Sequence, residues 1–459
     1  MEKRSCDVLI IGGGPAGGVS AVTAKMNYPD KEILVVREFE KQLVPCAIPY
    51  IFGETLGSSE KDLASCAMAT EMGISTLLGK VEDINLHAKI AYTQSHEISF
   101  DKLVFATGST PFVHKSLEHS LSLEGVFTIA KNKTLIDKLK AYTDTKNEIV
   151  IVGSGFIGIE MAVELAGAGK SVTVISASRH ILKHSFDREL ANQAKDIMLT
   201  LGVKYIGSDR VAAIIDRNGD NIVNAVELCS GAIVETEVVI LATGYQPNTE
   251  LAKKVGVSLG FYGGIWVDEY MRTSNHDIFA VGDCSSRRDF VTKESSKVML
   301  ASTSAAEGRI AGSSLYGIKY FKGFSGTIAI FSTMIGKTAF SSAGVTEEQA
   351  HAACMDVVVG TFSGMNRHPA TIPGAQKQYV KLIVMRHGGQ IIGGQIIGGE
   401  ETGEMINLVG LIVESNFDIY RVMSMQVATQ PMLTAAPTSY PVIMAAVMAA
   451  KAIEACVLP

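Results

Sequence analysis

Short apolar runs of about four residues, each ended by glycines or charges, punctuate the first two thirds of this chain. Val8-Leu9-Ile10-Ile11 reads as a buried strand that runs into Gly12-Gly13-Gly14-Pro15-Ala16-Gly17. Ser20 to Met26 continues as a helix, and Ile33-Leu34-Val35-Val36 is a second strand ending at Arg37-Glu38. The pattern recurs. Ile149 to Val152 is a strand, Gly153-Ser154-Gly155-Phe156-Ile157-Gly158 a turn, Ile159 to Ala168 an amphipathic helix, and Val172 to Ile175 the next strand. Both turns have G-x-G-x-x-G spacing between a strand and a helix. Such glycines let the backbone approach a pyrophosphate at a helix N-terminus, and an acid ending the second strand bonds a ribose. One such turn is weak grounds for a nucleotide site; two in full context are strong.

Phe105-Ala106-Thr107-Gly108 and Leu241-Ala242-Thr243-Gly244 each follow an apolar strand, and Ile278 to Val281 ends at Gly282-Asp283. An acid at the carboxyl edge of a strand lies where open α/β sheets bind ligands. These recurrences predict an α/β fold with two nested Rossmann-like dinucleotide-binding domains. The first covers 1–112 and resumes over 242–323; the second is inserted at 113–241. From 324 to 459 an α+β pattern follows. Thr327 to Phe331, Ala339 to Ala343, Tyr379 to Met385 and Ile391 to Ile397 read as strands, the last bent at Gly393-Gly394. Thr346 caps a helix, and Glu404 to Ser415 is helical. The apolar tail, Val442 to Ala455, is a helix that needs cover, from a dimer partner or from its own core.

Composition narrows the function. The 459 residues suffice for about two to four domains, and 19% charged residues with a net charge of −6 leave no basic surplus for nucleic acid. No apolar run is long enough to span a bilayer, and the N-terminus lacks a signal-peptide pattern. The seven cysteines include no C-x-x-C pair, and their odd number argues against a disulfide framework and for a reducing cytoplasm. Most are expected to be buried and inert. No His/Cys/Asp cluster has metal-ligand spacing.

Cys46 is the exception. It stands alone in Val44-Pro45-Cys46-Ala47-Ile48-Pro49-Tyr50. Without a partner in its own segment, its oxidised form is a sulfenic acid, a persulfide or a mixed disulfide with something outside the protein. A helix over Ile48 to Phe52 would place it at a helix N-terminus, where the thiolate is favoured. Cys66 is either a resolving thiol or a packed small residue. His368 is either basic apparatus or a solvated loop side chain. At the end of the second Rossmann strand, Ser176-Ala177-Ser178-Arg179-His180 carries no acid; Ser176 and Arg179 suit a 2′-phosphate, which favours NADPH, alongside NADH.

The two turns, both Ala-Thr-Gly segments, Gly282-Asp283 and the C-terminal α+β region together resemble the flavin-dependent pyridine nucleotide–disulfide oxidoreductases over essentially the whole chain. Pro45-Cys46-Ala47-Ile48-Pro49-Tyr50 resembles the single-cysteine branch, which holds coenzyme A-disulfide, persulfide and polysulfide reductases and NADH oxidases and peroxidases. The resemblance implies an FAD-containing homodimer whose third domain forms the interface and completes the partner's site. Gly12, Gly14, Pro15, Ala16 and Gly17 would hold FAD, with Glu38, or the neighbouring Arg37, at its ribose. Thr107 and Gly108 would lie near the flavin-binding crossover, Gly244 would be a further cofactor-binding position, and Asp283 would bond the ribityl or pyrophosphate region. Gly153, Gly155 and Gly158 would hold NADPH or NADH, with Glu160 near the nicotinamide and Phe156 as an aromatic lid. Tyr50 and the partner's Tyr440 become the candidate proton donors to the thiol leaving Cys46. Dithiol members carry a His-Pro pair where this chain has Gln430-Pro431, and coenzyme A-specific members carry basic residues on the first helix, where this chain offers Lys25. The implied function is NAD(P)H-dependent reduction of a coenzyme A disulfide, persulfide or polysulfide, with coenzyme A a candidate ligand. The alternative is an oxidase or peroxidase cycling through a Cys46 sulfenic acid.

Overall fold

The computed structural model of the chain describes residues 1–65, 67–319 and 323–455. Val8–Ile11 is the middle strand of a parallel five-stranded sheet in the order Ile278–Ala280, Lys102–Phe105, Val8–Ile11, Ile33–Arg37, Ser75–Leu78. Every residue of Val8–Ile11 is buried, as expected of a strand covered on both faces, which is why its sequence shows no alternation. A second parallel sheet repeats the plan: Val126–Thr128, Val238–Leu241, Glu148–Val152, Ser171–Ser176, Lys204–Gly207. The first sheet takes its edge strand Ile278–Ala280 from beyond the second sheet, so one Rossmann unit is nested inside the other. The two chain crossings between them are zipped into an antiparallel ribbon, Ser109–Pro111 against Tyr245–Pro247. Hydrogen bonds from Thr107 Oγ1 to the Asn248 carbonyl (2.6 Å) and from Thr243 Oγ1 to the Phe112 carbonyl (2.5 Å) flank the ribbon.

The C-terminal region is an antiparallel sheet in the order Phe331–Ile335, Thr338–Gly344, Ile391–Gly398, Lys377–Met385, Val357–Met365. Thr346 caps the helix Glu347–Ala352 in a reciprocal capping box with Gln349. The strand expected over Thr327 to Phe331 begins instead at Phe331. The Thr327 carbonyl is taken by the Phe290 amide, and Ala329 turns left-handed at φ 55°, which breaks an extended run. The strand Val357–Met365 escaped the sequence reading. The apolar tail helix, Pro441–Ala455, finds its cover inside the chain. Its Ala445 and Ala449 backbone lies so close to Gly360 that a side chain there would strike the helix. Intramolecular packing, not a dimer partner, therefore buries Val442, Ala445, Ala446, Ala449 and Ala450.

Lys381 locks this region to the nested domain. It is 2% exposed and pairs with Asp187 (2.9 Å), Glu347 (2.7 Å) and Glu189. Asp187 in turn accepts the Glu347 and Glu348 amides at 3.2 and 3.1 Å, so a carboxylate from one domain caps a helix of another.

Candidate active site

The two glycine turns superimpose in chemistry as well as spacing. Gly12 and Gly153 sit at φ 115° and 119°, and a side chain on either would strike the carbonyl of the first residue of its Ala-Thr-Gly segment, Ala106 or Ala242. Gly17 and Gly158 each press against the carbonyl of the first glycine of their own turn. The helices that follow, Pro15–Asn27 and Phe156–Gly167, have no side-chain cap and no acid in the first turn. Gly14 and Gly155, the cap positions, face open space. Uncapped amides behind an open glycine make a cradle for a phosphate.

Cys46 lies in the 3-10 helix Pro45–Ile51, which starts three residues earlier than expected and places the cysteine in its first turn. The cysteine is exposed. Around it lie groups from four separate stretches of chain. Burial pushes its thiol up, Glu160 adds to this, Lys131 opposes it, and Asp283 and Asp62 raise it further. The expectation of a stabilised thiolate is thus corrected: in this chain desolvation and acids outweigh the helix terminus and the single cation. Lys131 is the residue the sequence reading missed. It donates to Asp283 Oδ2 at 2.6 Å and to Ser109 Oγ at 2.8 Å, with its ammonium 4.7 Å from the Tyr245 ring centre. Burial raises the Asp283 carboxyl, but Lys131 and Ser109 bring it below the usual carboxylate range. Only the chain crossing brings Lys131 to Asp283, so no local motif marks it.

Glu160 is pushed up to about 7, by burial and then by Glu164, against a 2.7 Å hydrogen bond from Thr333 Oγ1. Tyr50 is raised by burial, Glu160, Glu164 and Cys46, which places it in the same group. Phe156 stacks on Phe331 with ring centres 5.0 Å apart and planes at 21°. Asp62, also unmarked in the sequence, is 2% exposed, and burial pushes it up to about 6.

The family described as "Pyridine nucleotide-disulphide oxidoreductase" matches residues 6–308, and its dimerisation domain matches residues 330–440. The chain belongs to this family. Among relatives of this oxidoreductase, the "NAD(P)H coenzyme A polysulfide/persulfide reductase" of Pyrococcus horikoshii is 32% identical over 91% of this chain and 93% of its own length. The "NADH oxidase" of Methanocaldococcus jannaschii is 28% identical over 92% and 94%. A solved NAD-dependent persulfide reductase from A. fulgidus has a TM-score of 0.89 at 28% identity, covering 98% of this chain and 84% of that one. FAD and NAD(P)H are the cofactors of the family. The two open glycine cradles, each before an uncapped helix, fit two dinucleotide pyrophosphates.

Other sequence-predicted positions fall as follows in this oxidoreductase. Arg37 lies across the first turn, with its Cβ 3.0 Å from where a Gly13 side chain would start, whereas Glu38 is exposed beyond it. Ser176 is buried, and its hydroxyl is shared with Ser154 at 2.7 Å and accepts the Ser178 amide at 3.2 Å, which ties it into the turn. Arg179 is exposed, and beside it His180 has a buried Nδ1 with no hydrogen-bond partner among the described residues. Tyr440 packs in the C-terminal apolar cluster, and burial alone raises it, so the chain's own Tyr440 does not join Cys46. Gln430 folds back onto the Met432 amide at 2.7 Å, and His368 Nδ1 bonds the Thr434 carbonyl at 3.0 Å rather than standing in solvent. The cysteine expectation also changes. Cys229 and Cys354 are exposed, Cys6 is half-buried, and Cys284 is the buried one among those described. Both exposed thiols lie in turns. Cys66 lies outside the described residues. No helix among the described residues is long and apolar enough to cross a membrane.

Proposed function

We propose that this chain uses NAD(P)H, through FAD, to reduce a small sulfur acceptor at Cys46: a coenzyme A disulfide, a coenzyme A persulfide or a polysulfide. The observation that carries the reading is a lone exposed thiol grouped with Lys131, Asp283, Glu160 and Tyr50 beside two dinucleotide cradles. The names of the 32% and 28% identical sulfur-reducing relatives support the acceptor class. Bound flavin supplies two-electron transfer between nicotinamide and sulfur. The chain's part is to position and to manage protons. The Cys46 thiolate attacks one sulfur of the acceptor, the S–S bond breaks, and the outgoing thiolate takes a proton from Tyr50 or from the partner's Tyr440. Cys46 is left in a mixed disulfide or persulfide. Two electrons from NAD(P)H return it to the thiol and release the second thiol or sulfide, so each cycle consumes one NAD(P)H and one proton.

Lys25 donates to the Pro29 and Lys31 carbonyls at 2.7 and 3.0 Å, holding its own helix end. The phosphates of a coenzyme A disulfide or persulfide would therefore meet other side chains, which favours the polysulfide acceptor. Exposed Arg179, with His180 beside it, supports a place for NADPH as well as NADH. We assign 1–112 and 242–323 to FAD, 113–241 to NAD(P)H and 324–459 to a homodimer contact, in the cytoplasm. A second reading, an NADH oxidase or peroxidase cycling through a sulfenic acid, is favoured by the 28% identical NADH oxidase relative. The test is NAD(P)H consumption by the holoenzyme with coenzyme A disulfide, polysulfide, peroxide and oxygen in turn. Sulfur-dependent turnover that Cys46→Ser abolishes is expected; turnover with oxygen or peroxide alone would establish the second reading.

A further inference from the structure

One strand of the C-terminal domain touches the two residues of the nested domain that the family resemblance assigns to the nicotinamide site, Glu160 and the lid Phe156. Phe331 stacks on Phe156, and Thr333 Oγ1 donates to Glu160 Oε1 at 2.7 Å. The match is one of register. Residues four apart on a helix lie about 6 Å apart along its axis, and residues two apart on a strand about 6.8 Å, both on one face. Phe156 and Glu160 are the helical pair, and Phe331 and Thr333 the strand pair. Ile335, next on that strand face, is fully buried in the apolar cluster that contains the nested domain.

We propose that Thr333 is a positioning residue that fixes the Glu160 carboxylate and favours its charged form, so that the C-terminal domain biases the charge presented to the nicotinamide. Among the described residues, Thr333 is the group that stabilises the charged form of Glu160. Its own helix supplies the like charge of Glu164, which is itself bonded by Thr55 at 3.0 Å. The segment Pro45–Ile51 supplies Cys46 and Tyr50, whose ionised forms would repel it. No basic group is among those that shift it, so the Thr333 hydroxyl is the one group holding the charged form. Thr333 is 6% exposed, which keeps water from replacing that bond. An ionised Glu160 favours the positive charge that develops on a nicotinamide losing hydride; a neutral one does not.

This inference rests on the reading that Glu160 serves the nicotinamide site, and two measurements separate the two. The first is an infrared titration of the buried carboxyl in the holoenzyme, assigned by its loss in Glu160→Gln. Thr333→Val, which keeps the β-branched shape, is expected to move the midpoint up from about 7 by about one pH unit, and Thr333→Ser to restore it. An unmoved midpoint in Thr333→Val overturns the inference whatever the enzyme's activity. The second is the pH profile of reduction by NAD(P)H in stopped flow, expected to shift upward with the carboxyl in Thr333→Val. If Glu160→Gln leaves that profile and rate unchanged, the reading of Glu160 fails instead, while the titration still judges Thr333.

Discussion

At the scale of single residues, one lysine tempers the burial and acids that hold the site's thiol up. Lys131 is the cation among the leading groups that shift Cys46, and it is already engaged by Asp283 at 2.6 Å. Lys131→Met removes the leading influence that lowers the thiol. Its midpoint should therefore rise, the thiolate fraction at pH 7.5 should fall, and alkylation there should slow several-fold. Iodoacetamide labelling across pH checks this, and an unchanged profile would mean that Asp283 fully neutralises the lysine. This residue was invisible in the sequence, where it stands in the unremarkable Ala130-Lys131-Asn132. Cys46 itself was legible because a lone cysteine after a nucleotide turn is a local signal. Its electrostatics were not legible, since Glu160, Asp283 and Asp62 reach it from distant stretches of chain.

At the scale of elements, the strand–turn–helix units were readable because their residues are neighbours in sequence: apolar run, glycines, helix. What could not be read is where elements from different domains meet. Lys381 looks like an outward charge on a β-strand, yet it is buried against three carboxylates, Asp187, Glu189 and Glu347. Lys381→Met leaves Asp187 buried without a cation, and breaking a buried pair from one side costs about 3–5 kcal/mol. Urea denaturation should show a loss of that size. A loss below about 1 kcal/mol would mean that Gln395, which donates to Asp187 at 2.5 Å, carries the acid alone. The tail helix gives the same lesson in reverse: its need for cover was plain, but the cover proved to be Gly360 on a strand that the sequence reading had missed.

At the scale of the whole molecule, the C-terminal domain leaves an apolar loop in the open. Met432 is 49% and Leu433 73% exposed, within the match to the dimerisation domain. A charge placed there should keep two copies apart. Leu433→Asp is expected to elute as a monomer in size exclusion with light scattering. Its sulfur-acceptor turnover should fall at least tenfold if the partner's Tyr440 serves Cys46, while reduction by NAD(P)H alone survives. A fully active monomer would assign the proton to Tyr50.

The ribbon between Ser109–Pro111 and Tyr245–Pro247 bears on how such a protein could arise. Entry and exit of the inner unit stand side by side, so a duplicated copy of the ancestral nucleotide binder could be spliced into its twin through a single doorway. The host would keep its sheet, and the guest would bring its own.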